Sequence, residues 1–158
     1  MNFKSTFTKQ LIDLAIAEDI GDGDHSSLGS IPTGIQGQAR LLVKDDGILC
    51  GIPLARHILE RIDTDVVFEQ LIDEGSEVKF GDIAFTVKGS VHSILQAERL
   101  MLNFMQRMSG IATVTNGLVK KIEGTNAKLL DTRKTTPGLR TFEKYAVQVG
   151  GGVNHRFA

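Results

Sequence analysis

The hydrophobic periodicity of the chain changes near residue 94, and this change limits the folds open to it. Before that point, short apolar runs punctuated by glycine predict strands, with residues 45–47 as a hairpin turn. Two helices accompany these strands: one over residues 8–18 precedes them, and one starting at Pro53 lies between them. The first helix shows its apolar spacing at Phe7, Leu11, Leu14 and Ala15. This part is predicted to be a compact α+β unit, with strands at 37–43, 48–51, 66–72, 77–79 and 83–88.

After residue 94 the pattern alternates between helix and strand. A helix over 94–108 is predicted to end at Ser109-Gly110, and a second helix follows with an apolar stripe from Ile111 to Ile122 that includes Val114 and Leu118. A strand at 128–131, a helix at 139–149 and a strand starting at 153–157 come next. This order is typical of a parallel α/β sheet or barrel. Two parallel strands with one crossover cannot cover both their faces. We therefore expect a fragment, or a surface supplied by another chain.

Charge is unevenly distributed along the 158 residues, whose formal net charge is −1. Residues 1–127 hold 12 basic and 17 acidic side chains, whereas residues 128–158 hold 6 basic and 2 acidic ones. A short basic segment on an acidic protein predicts a local anion site. The overall balance argues against bulk binding of nucleic acid, which needs a broad basic face.

Composition also limits the cellular setting. The single cysteine, Cys50, cannot form an internal disulfide, so a reducing compartment is expected, and a buried structural thiol is favoured over a reactive one. No apolar run approaches the roughly 20 residues of a membrane span, and the N-terminus lacks the pattern of a secretory signal. These features predict a cytoplasmic protein without a membrane segment. No metal site is predicted, because the histidines lack ligand spacing.

Two basic pairs follow successive predicted strands. Arg133 and Lys134 end the first strand, and His155 and Arg156 end the second. Because the ends of parallel strands share one rim of a sheet, all four should reach one small anion, such as a dicarboxylate or a phosphorylated sugar. Strand alternation would place Arg133 on one side, with Thr132 and Lys134 on the other. From spacing alone, a solvated strand end with unrelated charges remains open.

Arg99 lies with Asn103 and Gln106 on the side of its helix opposite the predicted core face. The core face comprises Ile94, Ala97, Met101, Met105 and Met108. From this spacing, a solvated arginine is the favoured interpretation. If this side forms a subunit contact, Arg99 could instead reach a partner's site.

Several segments, in order, resemble the quinolinate phosphoribosyltransferase family, also called nicotinate-nucleotide pyrophosphorylases (carboxylating). They are EDIGDGD at 18–24, ER at 98–99, LNF at 102–104, SGIAT at 109–113, DTRKT at 131–135, PGLR at 137–140, KYAV at 144–147 and GGGVNHR at 150–156. The resemblance runs from about residue 11 to residue 156. It implies transfer of phosphoribose from phosphoribosyl pyrophosphate to quinolinate with decarboxylation, which yields nicotinate mononucleotide, pyrophosphate and CO₂ in NAD biosynthesis.

The resemblance also implies an architecture and a set of site residues. Residues 1–109 would form an N-terminal α/β sandwich domain, and residues 110–158 the first βα units of an open, here incomplete, α/β barrel. Arg133, Lys134, His155 and Arg156 would line the quinolinate pocket beside Thr132, with Lys134 also near the phosphoribosyl donor. In a homodimer, Arg99 would enter the neighbouring subunit's pocket. No residue is assigned as a covalent nucleophile.

The family's barrel continues beyond the matched segments with further lysine, acidic and glycine-rich elements. Mg²⁺ would accompany phosphoribosyl pyrophosphate, with its ligands expected in that further half. The 158-residue chain is therefore expected to be a partial enzyme with little or no activity, an expectation that release of CO₂ from quinolinate at a normal enzymatic rate would refute.

Two alternatives stand beside this interpretation. Residues 75–82 resemble the turn-rich half of a biotinyl or lipoyl domain, which would make the chain a binding or carrier module. A carrier needs a lysine at a tight hairpin tip, typically between methionines, and no lysine here has that setting. The chain could also be a non-catalytic assembly fragment that binds its complementary half.

Overall fold

The computed structural model describes residues 5–156 and shows a mixed α/β fold with two small sheets. Within this range the elements follow one another as α1 (Thr6–Ile20), α2 (His25–Ser30), β1 (Gln36–Leu42), β2 (Gly47–Ile48), α3 (Ile52–Ile62), β3 (Val67–Gln70), β4 (Glu77–Val78), β5 (Ile83–Ser90), α4 (Val91–Lys121) and α5 (Arg140–Val149).

The predicted hairpin between the first two strands is wrong. Strand β1 pairs antiparallel with β5, which also pairs with β3, whereas β2 pairs with β4 in a separate sheet. After β1 the chain runs alongside residues 79–82, the turn that precedes β5, instead of folding back on itself. The Val43 amide donates to the Asp82 carbonyl at 2.8 Å, and the Asp46 carboxylate accepts from the Phe80 amide at 2.9 Å. These contacts draw residues 43–46 away from a hairpin.

The main core lies between the three-stranded sheet and helices α3 and α4. Helix α3 begins with Pro53 in its first turn and buries Leu54 and Ile58, as its apolar spacing predicts. Cys50 is fully buried beside this helix, and burial raises the pKa of its thiol well above the usual range. The prediction of a buried thiol is confirmed. The inward face of α4 contributes Ala97, Met101, Met105 and Met108.

The predicted break at Ser109-Gly110 is wrong, because α4 runs through it without interruption. The Ser109 hydroxyl bonds across to Cys50, accepting from its amide at 3.0 Å and donating to its carbonyl at 3.1 Å. It therefore does not compete with the backbone of its own helix. In the second half of α4 the buried positions are Ala112 and Thr115. The predicted apolar stripe there is largely exposed, at Val114 and Leu118.

Helix α1 confirms the first predicted helix, but only half of its predicted apolar face points inward. Leu11 and Ala15 pack against the core beside the buried Thr8 and Ile12, whereas Phe7 and Leu14 are exposed. The turn-forming residues 19–24 predict a loop after this helix, but α1 continues to Ile20 and a short helix, α2, begins at His25, so only residues 21–24 connect the two helices. Asp24 caps α2 by accepting from the Ser27 hydroxyl and backbone amide, and these hydrogen bonds lower the pKa of Asp24.

The C-terminal part places two segments side by side in parallel. Leu130 pairs with Val153, and the Asp131 amide donates to the Val153 carbonyl at 3.1 Å. Helix α5 connects the two segments, as predicted. The parallel direction is confirmed, but each predicted strand is reduced to an isolated bridge. Residue 157, the last of the second predicted strand, lies outside the described residues.

Candidate functional site

The two segments beyond the parallel bridge enclose a hollow of about 240 Å³. It is lined by residues 131–134 of one segment and by His155 and Arg156 of the other. Three permanent cations and one imidazole thus face a shared space sized for a small molecule. The predicted convergence of the four basic side chains is present in the structure.

Thr132 also lines this hollow, together with Arg133 and Lys134, so the predicted strand alternation is wrong. The chain turns here instead of continuing as a strand. The Lys134 amide donates to the Thr132 hydroxyl at 3.1 Å, and the Thr135 amide donates to the Arg133 carbonyl at 2.9 Å. This turn interrupts the extended backbone on which side-chain alternation depends. We call residues 131–136 the first basic loop.

The far end of the first basic loop is anchored to helices α4 and α5. The Glu143 carboxylate accepts from the Thr136 amide at 3.2 Å and from the Arg107 Nε at 3.0 Å. Arg107 also donates to the Thr136 hydroxyl at 2.5 Å. Burial acts to raise the pKa of Glu143, but the hydrogen bonds from Arg107 and Thr136 outweigh it and keep the pKa below its usual value.

Arg140 supports the middle of the same loop. Its Nε lies 3.3 Å from the Thr135 hydroxyl, and its Nη2 lies 3.4 Å from the Arg133 carbonyl. At the near end, the Asp131 carboxylate forms a buried ion pair with Lys144 of α5. The loop that presents Arg133 and Lys134 is therefore tied to helix α5 at three points, while these two side chains remain exposed.

Arg99 does not line the hollow. It lies on the outer side of α4, where its side chain is 73% exposed and its Nη1 is 3.4 Å from the Asp19 carboxylate. Asn103 and Gln106 are exposed on the same helix, as predicted. The fold of one chain therefore separates Arg99 from the four basic residues of the hollow.

Four residues support the hollow in a way that the sequence did not predict: Asp131, Lys144, Glu143 and Arg107. One signal for Glu143 was present, because it lies four residues after Leu139 and three before Ala146, on the apolar face of α5. A carboxylate on such a face must be paired. Lys144 gave no comparable signal, since its partner Asp131 is distant in sequence.

Within residues 5–156, no group of three or more His, Cys, Asp or Glu side chains is arranged to hold a metal ion. In the same range, no helix is both long enough and apolar enough to cross a membrane. The 31-residue α4 has the length, but charged residues interrupt its apolar character.

Family models match almost the whole chain. The N-terminal domain of quinolinate phosphoribosyl transferase matches residues 16–109, and the C-terminal domain of the same family matches residues 111–158. The chain belongs to the quinolinate phosphoribosyltransferase family. The family resemblance drawn from the sequence is confirmed.

Individual relatives agree with this assignment. The chain is 46% identical over 149 residues to quinolinate phosphoribosyltransferase [decarboxylating] 1b of Nicotiana tabacum, covering 94% of this chain and 42% of that protein. It is 43% identical over 143 residues to a probable nicotinate-nucleotide pyrophosphorylase [carboxylating] of Synechocystis, covering 89% of this chain and 48% of that protein. The chain thus spans less than half the length of these relatives.

Solved structures show the same similarity. The fold matches NadC from Streptococcus pyogenes with a TM-score of 0.92 and 38% identity, covering 95% of this chain and 53% of that one. It matches the nicotinate-nucleotide pyrophosphorylase from Francisella tularensis with a TM-score of 0.88 and 42% identity, covering 95% of this chain and 54% of that one.

The carrier alternative gains no support from the structure. Strands β4 and β5 flank residues 79–82 but pair with different strands, so this turn is not the tip of a hairpin. A lysine-linked cofactor needs such a tip, and Lys79 does not occupy one.

Proposed function

We propose that this chain contributes the quinolinate-binding part of a phosphoribosyltransferase that forms nicotinate mononucleotide, pyrophosphate and CO₂. The observation that carries the proposal is the hollow shared by Arg133, Lys134, His155 and Arg156. The names of the relatives supply the reaction, and the hollow supplies groups suited to a dianionic substrate. The assembly-fragment alternative would predict an intact fold that does not bind quinolinate.

The chemistry of the substrate fits cations on two separate segments. Quinolinate carries two carboxylates on adjacent ring carbons. An arginine fork can hold a carboxylate through two hydrogen bonds, and a lysine adds a compact charge. With both carboxylates held, the ring nitrogen can be aimed at the anomeric carbon of the donor. Thr132 lies beside these cations, and Lys134 is proposed to lie near the phosphoribosyl donor as well.

Bond making and breaking then balance without a covalent intermediate on the protein. The ring nitrogen supplies the electron pair for the new bond to the anomeric carbon, and pyrophosphate departs with the pair of the broken bond. Alkylation makes the ring a pyridinium, which accepts the electron pair released when the adjacent carboxylate leaves as CO₂. A proton then replaces the carboxylate on the ring. Fixed cations around the hollow stabilise the changing charge.

Mg²⁺ is predicted to accompany phosphoribosyl pyrophosphate. Its ligands are expected in the further half of the family's barrel. Among residues 5–156, no group of three or more His, Cys, Asp or Glu side chains is arranged to hold a metal ion.

The finer architecture is also part of the proposal. We infer an N-terminal α/β sandwich domain over residues 1–109 and the beginning of an open α/β barrel over residues 110–158. The change from antiparallel sheets to a parallel bridge after α4 supports this division. Helix α4 crosses the boundary without a break, so the two parts would share it.

A homodimer would give Arg99 a role that it lacks within one chain. Its exposed position on α4 supports the proposal that it reaches the hollow of a neighbouring subunit. A cytoplasmic location stays a prediction from the sequence. Some plant relatives carry the words chloroplastic or mitochondrial in their names.

Isothermal titration with quinolinate tests the proposed function, because binding can be measured whether or not the 158-residue chain turns over. We expect Arg133→Ala to weaken binding by about 1.5–3 kcal/mol, the range for a hydrogen bond to a charged group. Arg40→Ala is the matched control, since Arg40 is exposed on β1 outside the hollow. Equal affinity of the two variants, or no binding by the wild-type chain, would contradict the proposal.

A further inference from the structure

Asp131 occupies the point where two basic segments meet: the first basic loop, and residues 154–156, which we call the second basic segment. Asp131 is the first residue beyond the Leu130–Val153 bridge and lies two positions before Arg133 in the first basic loop. Its carboxylate accepts from the backbone amide of His155 at 2.8 Å. One side chain therefore links the loop that carries Arg133 to the segment that carries His155 and Arg156.

Two further groups hold this carboxylate in place. The Lys144 ammonium lies 2.5 Å from Asp131 Oδ1, and the side chains of this pair are only 1% and 3% exposed. With its amide nitrogen turned toward them, Asn154 donates to Asp131 Oδ2 at 2.7 Å and to the Lys144 carbonyl at 2.8 Å. Donors from α5 and from the second basic segment thus converge on one carboxylate.

Stability alone does not account for this arrangement. Desolvating a carboxylate and an ammonium is expensive, and an apolar pair of similar volume in such a place is often neutral or stabilising. An apolar pair, however, could not accept the hydrogen bond from the His155 amide. The distinctive property of Asp131 is therefore its ability to fix one basic segment against the other.

We propose that Asp131, held by Lys144, is a positioning residue that sets the spacing between the two basic segments. This spacing selects a dicarboxylate over a monocarboxylate, an inference that rests on the proposed function. Quinolinate, with adjacent carboxylates, can engage both segments at once only when their separation is fixed. Nicotinate has a single carboxylate and needs one segment. Preorganisation of this kind adds affinity for the ligand that uses both contacts.

Two double variants separate positioning from simple structural support. Asp131→Asn with Lys144→Met removes both charges but keeps an oxygen that can accept from the His155 amide. Asp131→Leu with Lys144→Met removes the charges and the acceptor together. Neither variant leaves a buried unpaired charge, and urea unfolding of both establishes that they are folded. Single changes would strand one charge and are expected to unfold the segment.

Titration with quinolinate and with nicotinate gives the decisive comparison. We expect the Asn/Met variant to bind quinolinate within about threefold of wild type, and the Leu/Met variant to bind it at least about tenfold more weakly, the lower limit for losing a charged contact. Nicotinate affinity should change by less than about threefold in both. Equal loss for both ligands, or unchanged selectivity in the Leu/Met variant, would overturn the positioning role.

Amide hydrogen exchange, followed by NMR, keeps this inference distinguishable from the proposed function. The His155 amide should lose protection in the Leu/Met variant and keep it in the Asn/Met variant. If the wild-type chain binds no quinolinate, the proposed function fails, while this exchange contrast still supports the link between the segments. If His155 exchanges equally in wild type and both variants, the link itself is refuted.

Discussion

Two neighbouring side chains of α5 support the first basic loop with opposite charges. Glu143 holds the Thr136 end through its hydrogen bonds, and Lys144 holds the Asp131 end through its ion pair. Both side chains are buried, whereas Arg133 and Lys134 between the anchored ends are exposed. The loop is thus fixed by two buried charges that do not line the hollow, which leaves the exposed cations available for an anion.

Replacing Glu143 with glutamine should weaken this support. Glutamine keeps an acceptor oxygen but loses the charge that strengthens the hydrogen bonds from Arg107 and Thr136. We expect the free energy of unfolding at neutral pH to fall by about 1.5–3 kcal/mol, as measured by urea denaturation. Glu60→Gln, at an exposed position of α3, is the matched control and should change stability by no more than about 0.5 kcal/mol.

The pH dependence of stability gives a second readout for Glu143. Because the folded pKa of Glu143 is lower than the ordinary value of 4.5, its contribution is complete above pH 4.5. That contribution is lost as the pH falls through the folded pKa. The stability difference between wild type and Glu143→Gln should therefore shrink on acidification below pH 4.5. A difference that stays constant would show that the carboxylate charge does not contribute.

At the scale of elements, α4 and α5 pack through small residues near the C-terminal bridge. A Cβ at Gly150 would meet the carbonyl oxygen of Ala112 and would lie 2.8 Å from the Cβ of Thr115. Gly110, in the middle of α4, has open space at the corresponding position. Gly150 thus permits the close approach of α5 to α4, whereas Gly110 only weakens α4.

Alanine at each glycine should shift stability in opposite directions. Gly110→Ala should raise the free energy of unfolding by about 0.5–1 kcal/mol, because alanine has less freedom to lose in a helix. Gly150→Ala should lower it by about 1–3 kcal/mol through overpacking against α4. Urea denaturation of the two variants measures both effects. Destabilisation by Gly110→Ala would indicate that α4 is not helical at this residue.

The same elements show what the sequence can and cannot predict. Helix α5 and the interior face of α4 before residue 109 follow from local apolar spacing, and the parallel direction of the last two segments follows from the alternation of strand and helix. The continuity of α4 does not, because the Ser109 hydroxyl bonds to Cys50, which is distant in sequence, and local spacing does not show this contact. The pairing of β1 with β5 is likewise settled by distant contacts at residues 79–82.

The candidate site divides in the same way. The convergence of Arg133, Lys134, His155 and Arg156 could be predicted, because parallel strand ends share one edge. The ion pair that supports them could not, since Asp131 and Lys144 come together only in the folded chain and neither carries a local signature. The side of the loop on which each cation lies could not be predicted either. It follows from the turn at Thr132, which replaces strand alternation.

At the scale of the whole molecule, the basic C-terminal segment and the exposed Arg99 are separated in one chain. The described part of the chain places Arg99 beside Asp19, on a helix face that carries no contact with the hollow. In a cyclic dimer whose contact surface includes both the Arg99 face and the hollow, each Arg99 would lie against the partner's hollow, because a symmetric interface uses the same surface twice. Such an arrangement would complete two equivalent sites at once.

Mixing two defective variants tests this arrangement. Arg99→Ala should lose quinolinate affinity although Arg99 lies outside the hollow of its own chain, and Arg133→Ala should lose it directly. After subunit exchange, a mixed dimer has one hollow with both arginines intact and one hollow with neither. Equal mixing should therefore restore about a quarter of the wild-type binding capacity in a titration, since about half the dimers are mixed.

The control for this mixture is Arg61→Ala in place of Arg99→Ala. Arg61 is an exposed arginine that pairs with Asp13 and does not line the hollow. Its own dimers should bind fully, so a mixture with Arg133→Ala should bind at about half capacity whatever the subunit contact. Sedimentation measured in parallel reports whether dimers form. If dimers form but the mixture of Arg99→Ala with Arg133→Ala regains no quinolinate binding, Arg99 does not act across the subunit contact. Each hollow would then depend only on its own chain.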